Sequence, residues 1–571
     1  MIVFGSHPAK ENTKAVIKRL RRTAEEIYET SYDHNKIVKL LIDYGEFETA
    51  IEDRIIPSVN IKLHKRLRDA AKLTGDIFRK SIRKDFEVIT VNRSFLNLLT
   101  EIESSDLPES ITLKVPEGYA YYGLYPEMYF EAAEQFYRKY KPEKCIVIGI
   151  RSIGTSLSSV IWSALQDFGA DVLSFTIRPY GDPFDRKVSF DKHHYEVVIS
   201  NSNSYFLLVD EGPGLSGSSF ATAAEELISS GIPREKIIYF PSRTSSGDDL
   251  ISEKAQYYWK AVDKYHVSFE EYWINSGRFK QLTAGFQYEE ISAGKWRNVL
   301  LNDKSKYPPV FEQFERRKYL LRDESNHIRY FIKFGGLGKY GERVFKNSLK
   351  FADAGFSPEV YKYDQGFIFY KYIDKANGDA FDIQKLMKFV MNYLLFIKRE
   401  FPAEPSYTYE EMKEMIYTNT RELFNDAFVN KLMNIQFDKN MFSSAVMNDG
   451  RMFPHEWIFN DRYIKTDNTE HHFDHLYPGR QDIGWDIAAF FTEFNLSQEQ
   501  RKNFIERFSY ISKDNHLKKK LNFILIEYLA FRLGYSVFAA KNSSSEADKL
   551  RFSSLVKNYS DKLHEEVSLQ T

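Results

Sequence analysis

Two acids stand side by side at Asp210 and Glu211, directly after the apolar run YFLLV, and a Gly/Ser-rich loop follows them to Ser219. Vicinal carboxylates hydrogen-bond a cis-diol such as that of a ribose. The backbone amides of Gly214, Leu215, Ser216, Gly217 and Ser218 form an anion nest at a helix start, and Ser216, Ser218 and Ser219 add hydroxyl donors. Small residues let the backbone approach a phosphate closely. A second stretch, CIVIGIRSIGTSLSS (145–159), repeats the order of strand, Gly/Ser loop and helix; Arg151, Ser152, Gly154, Thr155 and Ser156 offer charge and amides to another anionic group. Between the two lies TIRPYGDPFDRKVSF (176–190), an irregular segment carrying Arg178, Arg186 and Lys187. Farther on, residues 448–490 are dense in Asp and His, a donor set able to hold a metal.

Positioning these groups takes regular elements. The apolar strands KCIVIGI (144–150), DVLSFTI (171–177), YFLLVD (205–210) and KIIYFPS (236–242) are interspersed with helices at 156–169 and 221–231. That alternation predicts a parallel sheet covered on both faces, with ligands beyond the carboxyl ends of its strands. Residues 1–114 show helical spacing, as in AVIKRLRRTAEEIYE (15–29), and carry no chemical motif; Gly45-Glu46 and Glu52-Asp53 read as solvated helix positions. From 306 to 571 the pattern is a hairpin (316–334), a helix (343–355), a strand (366–373) and then mainly helices. The expected fold class is multidomain α/β and α+β: a helical region at 1–114, a Rossmann-like parallel-sheet domain at 115–305 and a two-lobed domain at 306–571. Residues 250–313 give no clear pattern.

The segment of four apolar residues, two acids, a short spacer and Ser-Gly-Ser resembles the phosphoribosyl-pyrophosphate loop of type I phosphoribosyltransferases. The spacer is one residue longer than that family's, and Glu211 stands where many members have Asp. The resemblance covers about residues 115–245. It implies Mg²⁺-dependent phosphoribosyl transfer from phosphoribosyl pyrophosphate, with 151–156 on the pyrophosphate and 210–219 on the sugar phosphate. It also implies that Arg178, Arg186 and Lys187 lie on a mobile loop closing over the reacting centre. A hood from residues 1–110 or 115–126 would choose the acceptor. Members are commonly dimers, so a homodimer is a family expectation.

A second resemblance covers about 314–560. Lys333 in RYFIKFGG, on a strand, and Glu342, on the next helix, match a pair that holds the α- and β-phosphates of ATP. Asp449 lies 18 residues before Asp467, the gap between catalytic-loop Asp and metal Asp in kinase-like folds. PGRQDIGWDIAAF resembles a stretch of aminoglycoside- and choline-kinase-like proteins, with Asp482 and Asp486 on its two acids. The resemblance implies Asp449 as catalytic, Asp467 or Asp474 on the metal, and His455 or Glu456 as second ligand, because no Asn stands at the usual place. Three readings stay open: an active small-molecule kinase, a degenerate kinase fold with a binding role, and a separate metal site at His455, His471, His472, Asp474 and His475.

Composition narrows the classes. With 79 basic and 80 acidic residues the chain has no global field for nucleic acid. Its single cysteine, Cys145, forms no internal disulfide and sits in a strand as an inert thiol. The longest apolar stretch, near 521–531, is broken by Asn522 and Glu527, so no membrane partner is expected. The resulting expectation is a cytoplasmic bifunctional enzyme on nucleotide-like small molecules, using Mg²⁺, phosphoribosyl pyrophosphate and ATP. The alternative is a sensor that binds a nucleotide or sugar phosphate beside a silent kinase-like part. Aromatics reach 16%, an excess that no motif explains.

Overall fold

The computed structural model describes residues 1–4, 8–29, 33–84, 88–214, 216–301, 303–374, 382–435, 444–468, 471–474 and 476–570. Strand β1 (Ala9–Asn12) pairs antiparallel with β2 (Ser110–Leu113), closing a unit of four helices: α1 (Thr13–Glu29), α2 (His34–Glu52), α3 (Ile61–Ile82) and α4 (Val88–Glu103). Asp33 caps α2 by accepting from the Asn35 amide. From Leu40 onward α2 is buried on every side, its acids Asp43, Glu46, Glu48 and Glu52 included. A helix buried all round has partners all round. Those of α2 include α1 and α3 on one side and the middle domain on the other.

The middle domain begins with a π-helical turn at Gly118–Tyr122 and α5 (Pro126–Tyr140). It continues through β3 (Lys144–Ile150), α6 (Ile153–Asp167), β4 (Asp171–Ile177), the hairpin β5 (Tyr180–Asp182) and β6 (Asp185–Lys187), α7 (Lys192–Ser200), β7 (Tyr205–Val209), α8 (Ser218–Ser229), β8 (Ile237–Phe240), α9 (Glu253–Ala261) and β9 (Asp263–Lys264). The expected parallel sheet is present, with five strands in the order β4-β3-β7-β8-β9. Its order reverses between β3 and β7, and the loops 151–156 and 210–217 both leave from this switch point.

Helix α10 (Arg278–Leu282), β10 (Gln287–Glu290) and α11 (Arg297–Leu300) fill the stretch that gave no pattern. The second sheet is antiparallel, in the order β10, β11 (Lys318–Arg322), β12 (Ile328–Phe334), β14 (Phe367–Lys371), β13 (Val360–Asp364), and α12 (Gly338–Asp353) packs beside it. Its first strand thus lies ahead of the boundary expected at 305. A four-residue polar edge strand has no apolar period to read.

The helical lobe follows: α13 (Ile383–Glu400), β15 (Pro402–Ala403), α14 (Tyr409–Thr420), α15 (Asp426–Met433), β16 (Ala445–Val446), the hairpin β17 (Trp457–Asn460) and β18 (Arg462–Lys465), α16 (Gly484–Glu493), α17 (Gln498–Ser512), α18 (Leu517–Asn542) and α19 (Glu546–Gln570). By length and composition α18 could cross a membrane, against the expectation that nothing in the chain comes close, but 72% of its apolar window is buried inside the protein. One buried cluster runs from Val16 to Phe369 and joins the helical unit, the parallel sheet and the antiparallel sheet; a second fills the helical lobe. Both are rich in aromatics. Trp457, Trp485, Tyr393, Tyr528 and Tyr559 are among the largest fully buried side chains, so much of the aromatic excess is core.

Candidate functional site

The parallel sheet carries the first cluster of expected site residues. Gly154 opens α6 against the end of β7, where a Cβ would fall 2.3 Å from the Val209 carbonyl oxygen. Arg151 does not face an open crevice. Its Nη1 donates to the Glu52 carbonyl (2.9 Å), its Nη2 to Glu52 Oε2 (3.1 Å) and its Nε to Thr176 Oγ1 (3.0 Å). Thr49 donates to Thr155 Oγ1 at 2.8 Å, and the Ser156 hydroxyl lies 3.0 Å from the Tyr119 hydroxyl. Gly45 is the point of contact, since a Cβ there would sit 2.6 Å from Ser156 Cβ. Two expectations are corrected together. The 151–156 loop is covered by α2, and Gly45, Glu46 and Glu52 are packed rather than solvated: Glu52 supplies to Arg151 the negative charge that a pyrophosphate was expected to bring.

The acids after β7 are placed differently. Asp210 Oδ1 accepts from the Glu211 amide (2.8 Å), and Glu211 Oε2 accepts from the Gly118 amide (2.9 Å). Burial lifts Asp210 to about 7; burial, with Glu117 and Asp210 nearby, lifts Glu211 to about 8. Arg178 and Arg186 act on Asp210 from the β4–β6 side. Arg178 also holds Asp53 through Nε (2.9 Å) and Nη2 (2.7 Å). Ser218 donates to the Pro183 carbonyl (2.7 Å), fastening the β5–β6 hairpin, with Lys187 at its exposed end, onto the loop. Ser216 and Ser218 share a 3.0 Å hydrogen bond; Gly214 and Gly217 both have positive φ, and Ser219 lies in the first turn of α8. Leu215 lies outside the described residues. Cys145 is fully buried, and burial pushes its thiol up to about 12, in keeping with an inert core position.

The second cluster lies between the antiparallel sheet and the helical lobe, around a cavity of about 610 Å³. The hairpin β17–β18 delivers Asp467, and the turn before β17 delivers Glu456. Ligand atoms of Glu456, Asp467 and His471 all lie within 4.8 Å of one another. Lys333 Nζ holds Asp467 Oδ1 at 2.8 Å, and Lys465 Nζ holds Glu456 Oε2 at 2.8 Å. The other oxygen of each acid makes no hydrogen bond among the described residues. Burial works to raise Asp467, yet Lys333 and His471 outweigh it and keep the carboxyl well below its usual range.

Several expectations change here. Glu342 is not the partner of Lys333; it faces Lys39 and Lys346, because α2 docks on this side of α12. Asp474 is not in this three-residue group; it binds Arg316 (3.4 Å) and Arg451 (3.3 Å), and although burial opposes this, the two guanidinium groups hold it low. His455 is clamped between the rings of Trp296 (5.0 Å) and Phe453 (5.4 Å), and burial drops it to about 3, so it is a neutral wall residue outside the three-residue group. Asp449 is fully buried and surrounded by Tyr393 (2.6 Å), Lys465 (3.2 Å) and His471 (3.2 Å). The cavity wall runs through Gly450 and Arg451 beside it, and Asp449 itself holds Lys465 and His471. Asp486 accepts from the amides of Asp449 and Gly450 and anchors that turn. His472 hydrogen-bonds the Asn448 carbonyl, and His475 lies outside the described residues.

Lys465 and Arg451 were not singled out from the sequence; His471 was, as one donor of the separate metal site, and it stands in the three-residue group with Glu456 and Asp467. Lys465 was legible in principle: in RYIK, strand alternation puts Tyr463 and Lys465 on one face. Arg451 had no such signal, because its partner Asp474 comes from a different turn, 23 residues on.

No protein-family model matches the chain, and neither does any curated protein. Solved structures show faint likenesses. Choline kinase LicA from Streptococcus pneumoniae is 17% identical, with 43% of this chain and 89% of that one covered, at a TM-score of 0.29. An ethanolamine kinase of Plasmodium vivax is 14% identical, covering 61% and 93%, at 0.31. A choline/ethanolamine kinase family protein from Mesorhizobium loti is 11% identical, covering 48% and 97%, at 0.31. At such scores the likeness decides neither the fold nor the chemistry of this chain. These findings lend nothing to the phosphoribosyltransferase resemblance.

Proposed function

We propose that the C-terminal half is an ATP-dependent phosphotransferase acting on a small molecule, with Mg²⁺ held by Glu456 and Asp467. The observation that supports it is the convergence of these two carboxylates, with Lys333 beside them, at a cavity between a sheet and a helical lobe. The donor set fits a hard cation, since each acid keeps one oxygen clear of its lysine. Mg²⁺ there supplies charge neutralisation for the phosphoryl group. Lys318 on the cavity wall, with Lys333 beside Asp467, orients the phosphates, and the apolar wall of Leu320, Phe331 and Ile458 excludes water around a purine. Catalysis then rests on positioning and charge, with no buried carboxylate withdrawing a proton. The test is a melting curve with Mg²⁺ and ATP, with ADP release measured alongside. The expected result is a rise in melting temperature that Asp467→Asn abolishes; a wild-type protein indifferent to Mg²⁺ and ATP overturns the reading.

A second reading has its own support. The cavity wall carries Arg451 next to Asp449, where a base would stand, which favours nucleotide binding without turnover. A melting shift without ADP release would decide for it. For the middle domain the acid pair with Arg178 and Arg186 supports binding of a ribose phosphate such as phosphoribosyl pyrophosphate, while the covered 151–156 loop argues against an assembled transferase. Calorimetric titration with phosphoribosyl pyrophosphate and Mg²⁺ tests this, with a Asp210→Ala/Glu211→Ala variant expected to lose the heat.

A further inference from the structure

Part of the cavity wall is built around a cation of the protein's own. Arg532 on α18 lines the cavity, and its guanidinium carbon lies 4.8 Å from the Phe453 ring centroid and 5.3 Å from those of Tyr535 and Tyr559. Three aromatic faces around one point are how proteins capture an alkylammonium group. Here the place is filled by a guanidinium that stays charged at any working pH. Its Nε donates to the Tyr559 hydroxyl (3.2 Å) and lies 3.9 Å from Glu493 Oε1, an oxygen that also accepts from Tyr528 (2.6 Å) and Tyr559 (2.8 Å). The two terminal nitrogens make no hydrogen bond among the described residues, although the residue lines an open cavity. A planar fork with both ends unengaged is suited to bidentate binding of a carboxylate or phosphate.

The surroundings agree. Arg451 stands on the same wall, and the rings of Phe453, His455 and Trp296 stack in sequence away from Arg532. This run of stacked rings offers flat contact between the arginine and the metal-binding acids. We propose that the phosphoryl acceptor is a small hydroxyl compound bearing an anionic group, carboxylate or phosphate ester, gripped by Arg532; this rests on the phosphotransferase reading above. An alkylammonium acceptor is excluded by the same geometry, because its cage already holds a positive charge.

The test uses the full chain with Mg²⁺ and a non-hydrolysable ATP analogue, followed by thermal melting. Glycerate, glycerol 3-phosphate and inorganic phosphate are the anionic probes; choline and ethanolamine are the cationic ones. At least one anion is expected to raise the melting temperature and neither cation is. Arg532→Met is expected to weaken the anion response at least tenfold while keeping the nucleotide response, which also separates this cavity from the 214–219 loop. Arg532→Lys keeps a charge but loses the fork and is expected to weaken it less; it serves if the methionine variant does not fold. Response to choline or ethanolamine, no response to any anion, or wild-type anion affinity in both variants overturns the inference. Absence of a nucleotide response in the wild type instead sinks the phosphotransferase reading.

Discussion

Arg151→Met separates a structural Arg151 from a phosphate-binding one. The substitution keeps the side chain's length and removes the guanidinium. Glu52, whose side chain is fully buried, then loses the Nη2 contact at 3.1 Å and keeps only His64 Nδ1 at 2.7 Å, while Asp53 keeps Arg178. Removing one partner of a buried ion pair costs about 3–5 kcal/mol. Because His64 remains, the lower end applies, about 3 kcal/mol. At ~2–4 °C per kcal/mol for a unit of 150–250 residues, the melting temperature falls by about 6–12 °C. Glu52→Gln in the same chain relieves the stranded charge, so the double variant recovers part of the loss, with a coupling of about 1–3 kcal/mol. The assay is thermal and urea unfolding of the four chains of the cycle. A phosphate ligand without structural duty predicts the opposite: nearly wild-type melting and lost ligand affinity. If Arg151→Met melts within about 2 °C of the wild type, or the two substitutions simply add, the account of α2 as the partner of this loop is refuted.

Three further outcomes follow from the geometry. Asp210 and Glu211 sit at about 7 and about 8, above the ordinary carboxylate range, so the folded chain holds extra protons between pH ~4 and ~8. Their stability contribution is complete below that window and is lost as pH rises through it. Asp210→Asn and Glu211→Gln therefore gain on the wild type between pH 5 and pH 8.5 by more than about 1 kcal/mol, and a pH-independent difference would count against their burial. Lys465→Met leaves Asp449 and Glu456 facing each other in a fully buried spot and is expected to cost about 3–5 kcal/mol; urea melts within about 1 kcal/mol of the wild type disprove it. Gly154→Ala drives a methyl against the Val209 carbonyl and is expected to destabilise by about 1–3 kcal/mol, measured the same way, with a neutral result showing that α6 can shift.

Continuous apolar strands were readable residue by residue. The spans 144–150 and 171–177 coincide with β3 and β4: β3, buried from Cys145 to Ile150, has no polar alternation to blur its ends, and the edge strand β4 keeps an apolar run although Asp171 and Leu173 are exposed. Asp467, Glu456 and the Asp210–Glu211 pair were also legible, since each sits where a strand or hairpin delivers it. The partners of charges were not. Arg151 in a Gly/Ser loop reads the same whether it holds a phosphate or a helix, and Glu52 lies 99 residues away. Spacing alone left Asp467 and Asp474 in conflict and strand context favoured Asp467; Arg316, 158 residues from Asp474, and Arg451 are what engage Asp474 instead. Glu342 was assigned by analogy with a pair that α2, docking on the other face of α12, has drawn apart. The helical unit looked inert because its acids carry no motif, yet they reach both other regions: Glu52 holds Arg151, and Glu46 holds Lys339 and Tyr340.

The segment 115–126, expected as a hood over an acceptor, instead joins the two clusters. Gly118 donates to Glu211, and the Tyr119 hydroxyl meets Ser156. The Tyr119 carbonyl accepts from the Leu337 amide (2.9 Å) at the start of α12, and the Ala120 carbonyl accepts from Arg316 (3.3 Å). Tyr121 donates to the Phe473 carbonyl and lies under the Arg316 guanidinium at 5.1 Å. Arg316 in turn holds Asp474, which holds Arg451 on the cavity wall. A π-helical turn is a local departure from regular helix that recurs at functional sites. Here it lets consecutive residues face opposite neighbours, the acid pair on one side and the turn carrying Phe473 on the other. Any movement of Glu211 is therefore applied to the same five residues that support Phe473 and Arg316. Energetic coupling between the clusters requires an element that both of them bias, and this turn is bonded to each.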